Sequence, residues 1–204
     1  KKKNFKLSSR GGERDYFAEL DNFPNAKVIY LHAREIIERL GDGTLDLGIS
    51  GLDLLKESSK NLQQRIVVRK KLDFGKANLV VAVPNDWIDV QTVADLEEIS
   101  FYFRDKKNLR LRVATKYPNL TNSFFTSKGV TYYKIISSLG ATETYPFTGS
   151  SEIITDIVST GATLKANNLR ILKDGSILQS YACILTSKKS ISNLKKRKMI
   201  NMFL

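Results

Sequence analysis

The chain has 204 residues, 42% of them hydrophobic and 26% charged, with a formal net charge of +12. That is the composition of a globular protein large enough to bury a core in one or two domains. No apolar run approaches the roughly 20 residues that span a bilayer, and the single cysteine, Cys183, excludes an internal disulfide and a cysteine–histidine zinc cluster.

The first strand signal is Ala26–Leu31, followed by a short helix from about Ala33 that places Ile36, Ile37 and Leu40 inward and stops at Gly41. Asp46–Ser50 (D-L-G-I-S) is a second strand running into Gly51 and a helix Leu52–Glu57. Val67–Leu72 and Ala77–Val83 follow as strands, the latter with the continuous apolar character of a doubly covered one. Asn85–Val90 reads as a crossover between domains, and Val93–Ile99 as a helix. A second unit begins with the strand Leu111–Thr115, the loop Lys116–Leu120 and a helix Thr121–Lys128 with Thr121 as its N-cap. Tyr132–Ser137 is a strand, and Leu169–Leu172 and Ser176–Thr186 form a hairpin about Asp174-Gly175. Ser190–Leu204 is a basic helix or frayed tail. Strands alternating with helices predict an α/β fold with a parallel sheet.

Between these lies Ile153–Leu164 (I-I-T-D-I-V-S-T-G-A-T-L), an apolar β-branched strand, a small-residue loop and a helix start. Such a junction converges backbone N–H groups on one point and can hold a phosphate. Ser159, Thr160 and Thr163 add hydroxyl donors, Gly161 permits close approach, and Asp156 is placed to accept from sugar hydroxyls. On this stretch alone an ordinary helix N-cap explains the residues equally well. A second glycine turn, Gly48–Asp53, lies in the other half, so the chain predicts a cleft between two small sheets.

Three motifs in order, D-L-G-I-S-G-L-D at Asp46–Asp53, A-T-K-Y-P-N-L-T at Ala114–Thr121 and D-I-V-S-T-G-A-T-L-K-A-N at Asp156–Asn167, resemble the ATP phosphoribosyltransferase family. The resemblance runs from about Glu13 to Thr186. It implies a two-domain α/β clamshell similar to type II periplasmic binding proteins, with the active site in the interdomain cleft. The corresponding domains are 1–88 plus 175–204, and 89–174 carrying the phosphate loop. It also implies the first step of histidine biosynthesis, a pentosyl transfer in which N1 of ATP attacks C1 of phosphoribosyl pyrophosphate and expels pyrophosphate. In that reading Arg14 and Asp156 are catalytic, and Asp156, Ser159, Thr160, Gly161, Ala162 and Thr163 bind phosphoribosyl pyrophosphate. Asp46, Gly48, Ser50, Gly51, Lys116 and Tyr117 face ATP. The implied cofactor is Mg2+, held mainly through the substrate rather than by a protein cage.

Departures from the family pattern are equally specific. Nothing in Lys1–Arg10 matches the strand and glycine-arginine turn with which the family begins, and His32 stands where many members carry arginine. Thr155, not a second acid, precedes Asp156, unlike the paired acids of ordinary phosphoribosyltransferases. The chain ends soon after Thr186, which resembles the short form of the family and implies an oligomer with a regulatory subunit related to histidyl-tRNA synthetase. The absence of an apolar export signal after Lys1–Lys6 predicts a cytoplasmic protein without membrane partners. The alternative is a non-catalytic anion-binding clamshell, such as a solute-binding or effector domain. Nucleic-acid binding is a third reading, but the excess charge sits at the termini, and Lys188–Lys198 carries no interleaved aromatic residues.

Overall fold

The protein is described from a computed structural model covering residues 7–8, 16–21 and 23–204. Strands β1 (Leu7–Ser8), β2 (Phe17–Leu20) and β3 (Phe23–Ile29) form an antiparallel sheet at the start of the described chain. Helix α1 (Ala33–Asp42) follows, capped by the His32 side chain, whose Nδ1 accepts from the Arg34 amide. It runs through Gly41, past the expected stop, and buries Ile37 and Leu40.

Strand β4 (Leu47–Gly51), helices α2 (Leu52–Glu57) and α3 (Lys60–Gln64) and strand β5 (Ile66–Lys71) come next. Strand β6 (Ala77–Pro84), helix α4 (Val93–Lys107), strand β7 (Leu111–Thr115), helix α5 (Pro118–Ser127) and strand β8 (Tyr133–Ser137) build the second unit. A 3-10 turn at Thr142–Thr144 leads to strand β9 (Ile153–Val158) and helix α6 (Ala162–Ala166). Strands β10 (Leu169–Ser180) and β11 (Ala182–Ser187) and helices α7 (Lys188–Ser192) and α8 (Leu194–Asn201) complete the chain.

Two sheets carry the fold beyond the N-terminal strands: β10-β6-β9-β7-β8 and β4-β11-β5. Only the β7–β8 and β7–β9 pairs of the larger sheet are parallel, so the sheet is mixed rather than purely parallel. Its strands alternate residues between two cores. Val81, Val83, Val113 and Ile153 pack with Leu96 of α4 and Phe125 of α5, while Val80, Ala82, Ala114 and Ile154 pack with Leu164 of α6. A separate core of Ile37, Leu40, Leu55, Ile66, Cys183 and Leu185 fills the space between the smaller sheet and α1.

Strand pairing changes several sequence expectations. Strand β6 bonds to β9 and β10, so the chain passes between the sheets at residues 72–76, not at Asn85–Val90. The latter segment packs against β10, whose Arg170 donates to the carbonyl of Val90 at 2.6 Å. The Asp174-Gly175 hairpin does not form: β10 pairs with β6 on both sides of it, and the extra residues are absorbed as bulges. The chain returns to the smaller sheet at Tyr181, where β11 lies between β4 and β5. Helix α4 extends well beyond Ile99, from a Thr92–Asp95 capping box to Asn108, and the C-terminal segment is two helices. Among the described residues no helix is long and apolar enough to cross a membrane.

Candidate active site

Strands β7 and β9 are parallel, so their carboxyl ends open on the same edge of the large sheet, where open α/β sheets collect ligands. Lys116 leaves the end of β7 and the Ser159–Thr163 loop leaves β9. Together with Glu143 and Asp156 they line a cavity of about 260 Å³. Ser159, Thr160 and Thr163 are exposed on its rim. Gly161 caps α6 with φ +78°, the left-handed region that disfavours a side chain. The first helical bond runs from the Lys165 amide to the Gly161 carbonyl at 3.1 Å, leaving the Thr163 and Leu164 N–H groups without intrahelical acceptors.

Asp156 is half-buried, and its Oδ1 accepts from the Ile157 amide at 2.8 Å. Burial pushes its carboxyl above the usual aspartate value, Glu143 adds to this, and the Ile157 bond and Lys116 oppose it. Thr155, one residue earlier, faces the other side of the sheet. Its hydroxyl donates to Thr115 Oγ1 at 2.7 Å and lies 2.6 Å from Thr121 Oγ1, all three residues fully buried. The Tyr117 amide donates to the same Thr115 oxygen at 2.9 Å. A second acid at 155 would therefore lie in the core among hydroxyls, where a charge is costly.

The remaining candidates are dispersed. Arg14 lies outside the described residues. Asp46 precedes β4 at its amino end, and its Oδ1 accepts from Ser190 Oγ and from Lys196 Nζ, the latter at 2.7 Å. Gly48 is a packing glycine: a Cβ there would stand 2.5 Å from Ile36 Cγ2. Ser50 donates to the Ala33 carbonyl at 2.9 Å, and Gly51 caps α2. None of these four lines the cavity. Tyr117, read as facing ATP, is buried with its hydroxyl on Asp53 Oδ2 at 2.9 Å, and burial holds that hydroxyl far above the ordinary tyrosine range. Ala162 is exposed beside the loop without lining the cavity.

No cluster of three or more metal-ligating side chains occurs among the described residues. Glu143 and Asp156 nevertheless present two carboxylates to one cavity. That donor set fits Mg2+ bound by one or two carboxylates and the oxygens of a phosphorylated substrate. Glu152, near the start of β9, is occupied: it accepts from the Arg112 amide at 2.7 Å and forms an ion pair with the Arg112 guanidinium. Sequence reasoning did not single out the buried acids Asp53 and Glu57; the available signal was their four-residue spacing on α2, among Leu52, Leu54 and Leu55.

Two α/β bodies with the Ser159–Thr163 loop at the strand ends make a clamshell fold of the type II periplasmic-binding-protein kind. A solved substrate-binding protein of an amino acid ABC transporter shares this fold at 14% identity and a TM-score of 0.50, covering 83% of this chain and 69% of that one. The chain belongs to the ATP phosphoribosyltransferase family, whose model (HisG: ATP phosphoribosyltransferase) matches residues 32–204. It is 48% identical over 184 residues to the ATP phosphoribosyltransferase of Nitrobacter winogradskyi, covering 90% of this chain and 57% of that protein. It is 45% identical over 185 residues to that of Mesorhizobium japonicum, covering 90% and 80%. The chain thus spans little more than half of the first of these relatives. The ATP phosphoribosyl transferase (HisG:HisZ) complex from Thermotoga maritima has the same fold, with a TM-score of 0.70 at 24% identity, over 98% of this chain and 84% of that one.

Proposed function

We propose that this chain carries the phosphoribosyl-binding half-site of an ATP phosphoribosyltransferase, joining N1 of ATP to C1 of phosphoribosyl pyrophosphate with release of pyrophosphate. The observation that carries the reading is the cavity that joins Asp156, Lys116 and the Ser159–Thr163 loop, within a chain of that family. The loop amides and hydroxyls bind the 5-phosphate, and the Asp156 carboxylate accepts from the ribose hydroxyls, fixing C1 for in-line attack. Lys116 offsets negative charge as pyrophosphate departs. Glu143 and Asp156 would hold Mg2+ together with the substrate's oxygens, and the ion would supply further charge neutralisation of the diphosphate. The activity needs no acid–base step from the protein, because N1 is already a free nucleophile and the leaving group is stable once neutralised. A non-catalytic anion-binding module is not favoured by the family membership.

The same reading extends to assembly: an oligomer with a regulatory subunit, supported by the complex named for the Thermotoga maritima neighbour. The test combines the chain with ATP, phosphoribosyl pyrophosphate and Mg2+, with and without a regulatory partner of that kind, and follows the ultraviolet absorbance of phosphoribosyl-ATP. Product in either mixture supports the reading; binding of neither substrate overturns it.

A pH dependence follows from Asp156. It must be ionised to accept from the ribose hydroxyls, and its raised carboxyl is protonated at a higher pH than a free aspartate's. The acid limb of kcat/KM therefore lies above the ordinary aspartate range, with activity lost as pH falls through it. Glu143→Gln removes a like charge and is expected to move that limb to lower pH; Lys116→Met removes an opposite charge and moves it higher. Profiles of kcat/KM for the two variants displaced in the same direction would contradict the assignment.

A further inference from the structure

The turn that delivers Lys116 to the cavity is held from the other sheet's body. The Arg34 guanidinium donates to the Lys116 carbonyl at 3.4 Å, and the Tyr117 hydroxyl donates to Asp53. The Asn119 and Leu120 amides donate to the two oxygens of Glu57, at 2.9 and 3.0 Å. The Asn119 side chain adds a bond to the Glu57 carbonyl at 2.8 Å. Asp53 and Glu57 are four residues apart on α2, which puts them on one face. Both are buried, at 8% and 6% exposure, an unusual position for carboxylates unless their bonds require it.

Each acid replaces something the turn lacks locally. Tyr117 sits at the N-cap of α5 but makes no side-chain cap bond, so the first-turn amides are satisfied by Glu57 from a different element. Asp53 accepts on its second oxygen from Ser180 Oγ at 2.6 Å, at the end of β10 where the chain leaves the larger sheet. Asp53 therefore ties α2 to two places on the larger-sheet body, and Glu57 to a third. Within residues 116–120 only Lys116 lines the cavity.

We propose that Asp53 and Glu57 are positioning residues for the anion site. They clamp the Lys116–Leu120 turn from α2 and so set where the Lys116 ammonium meets a phosphate held by the Ser159–Thr163 loop. This rests on the phosphoribosyl reading of the cavity. The clamp makes the grip of the smaller body part of the binding geometry: loosening α2 displaces Lys116 without touching the loop. A role confined to stability would leave no signature that depends on Lys116.

The test is a double-mutant cycle read by calorimetric binding of ribose 5-phosphate to the full chain. Glu57→Gln keeps one acceptor oxygen and removes the other, and is expected to weaken binding about tenfold. In a Lys116→Met background the same substitution is expected to have no further effect. Asp53→Asn provides an independent arm with the same expected dependence, should Glu57→Gln fail to fold by circular dichroism. In turnover, both variants are expected to raise KM for phosphoribosyl pyrophosphate more than they lower kcat. Binding losses that multiply with that of Lys116→Met overturn the clamp alone. A wild-type chain that binds no ribose 5-phosphate removes the phosphate reading, and the clamp with it.

Discussion

Asp156→Ala is expected to lower phosphoribosyl transfer about 1000-fold while leaving the protein folded and no less stable at neutral pH. The two halves of this expectation come from one observation. The Asp156 carboxyl titrates above its unfolded value, chiefly because burial disfavours its charge. A carboxylate raised in this way contributes stability that is fully present below its unfolded pKa. The contribution disappears as pH rises through the folded value, so at neutral pH the ionised group is a net burden. Truncating it removes that burden and one bond, from the Ile157 amide. Thermal unfolding at neutral pH should show an unchanged or higher midpoint, and the product assay should show the loss. A variant with near-wild-type turnover, or one that unfolds well below the wild type, contradicts the site assignment. A side chain that burdens the fold and is required by the reaction is the pattern expected of a functional group.

The same stretch explains why some of the site was legible in the sequence. Strand β9, its loop and α6 are adjacent in the chain, so apolar alternation, small residues and Gly161 reported on them directly. The cavity they line is completed by Lys116 and Glu143, which come from the ends of other elements. Thr121, read as the N-cap of a helix, is instead a core hydroxyl bonded to Thr155, and α5 begins at Pro118. Its cap is supplied by Glu57, a tertiary contact with no local signature. Asp174-Gly175 carried the residues of a hairpin turn, yet Asp174 accepts from the Val93 amide at 2.8 Å and its strand continues through a bulge. Local turn chemistry cannot distinguish those two uses.

The nucleotide side was less legible for a related reason. D-L-G-I-S-G-L-D contains the small residues of an anion loop, but β4 uses them for packing: Gly48 admits Ile36, and Ser50 ties the strand to α1. Asp46 faces the C-terminal helices through Ser190 and Lys196. The last acid of that motif, Asp53, engages the adjoining body through Tyr117 and Ser180 rather than solvent. Glycines in a strand signal close approach, and sequence alone does not say whether the approaching group is a ligand or a neighbouring side chain.

At Gly161 the two possibilities separate, and Gly161→Val is expected to weaken ribose 5-phosphate binding about 100-fold. The backbone there has φ +78°, where a side chain costs roughly 1–2 kcal/mol and a β-branched one is a steric outlier. The nearest protein atom to an added Cβ is Val158 Cγ1 at 4.0 Å, so the protein itself does not occupy the space. Gly161 itself lines the cavity, so the valine methyls would add bulk to its wall. Gly161→Ala carries most of the conformational strain but adds only one carbon, and is expected to lose much less affinity. Calorimetric titration of both variants therefore distinguishes a blocked anion site from a strained turn. Equal losses in Ala and Val would assign the effect to backbone strain; unaltered binding in Val would remove the loop from the phosphate site altogether.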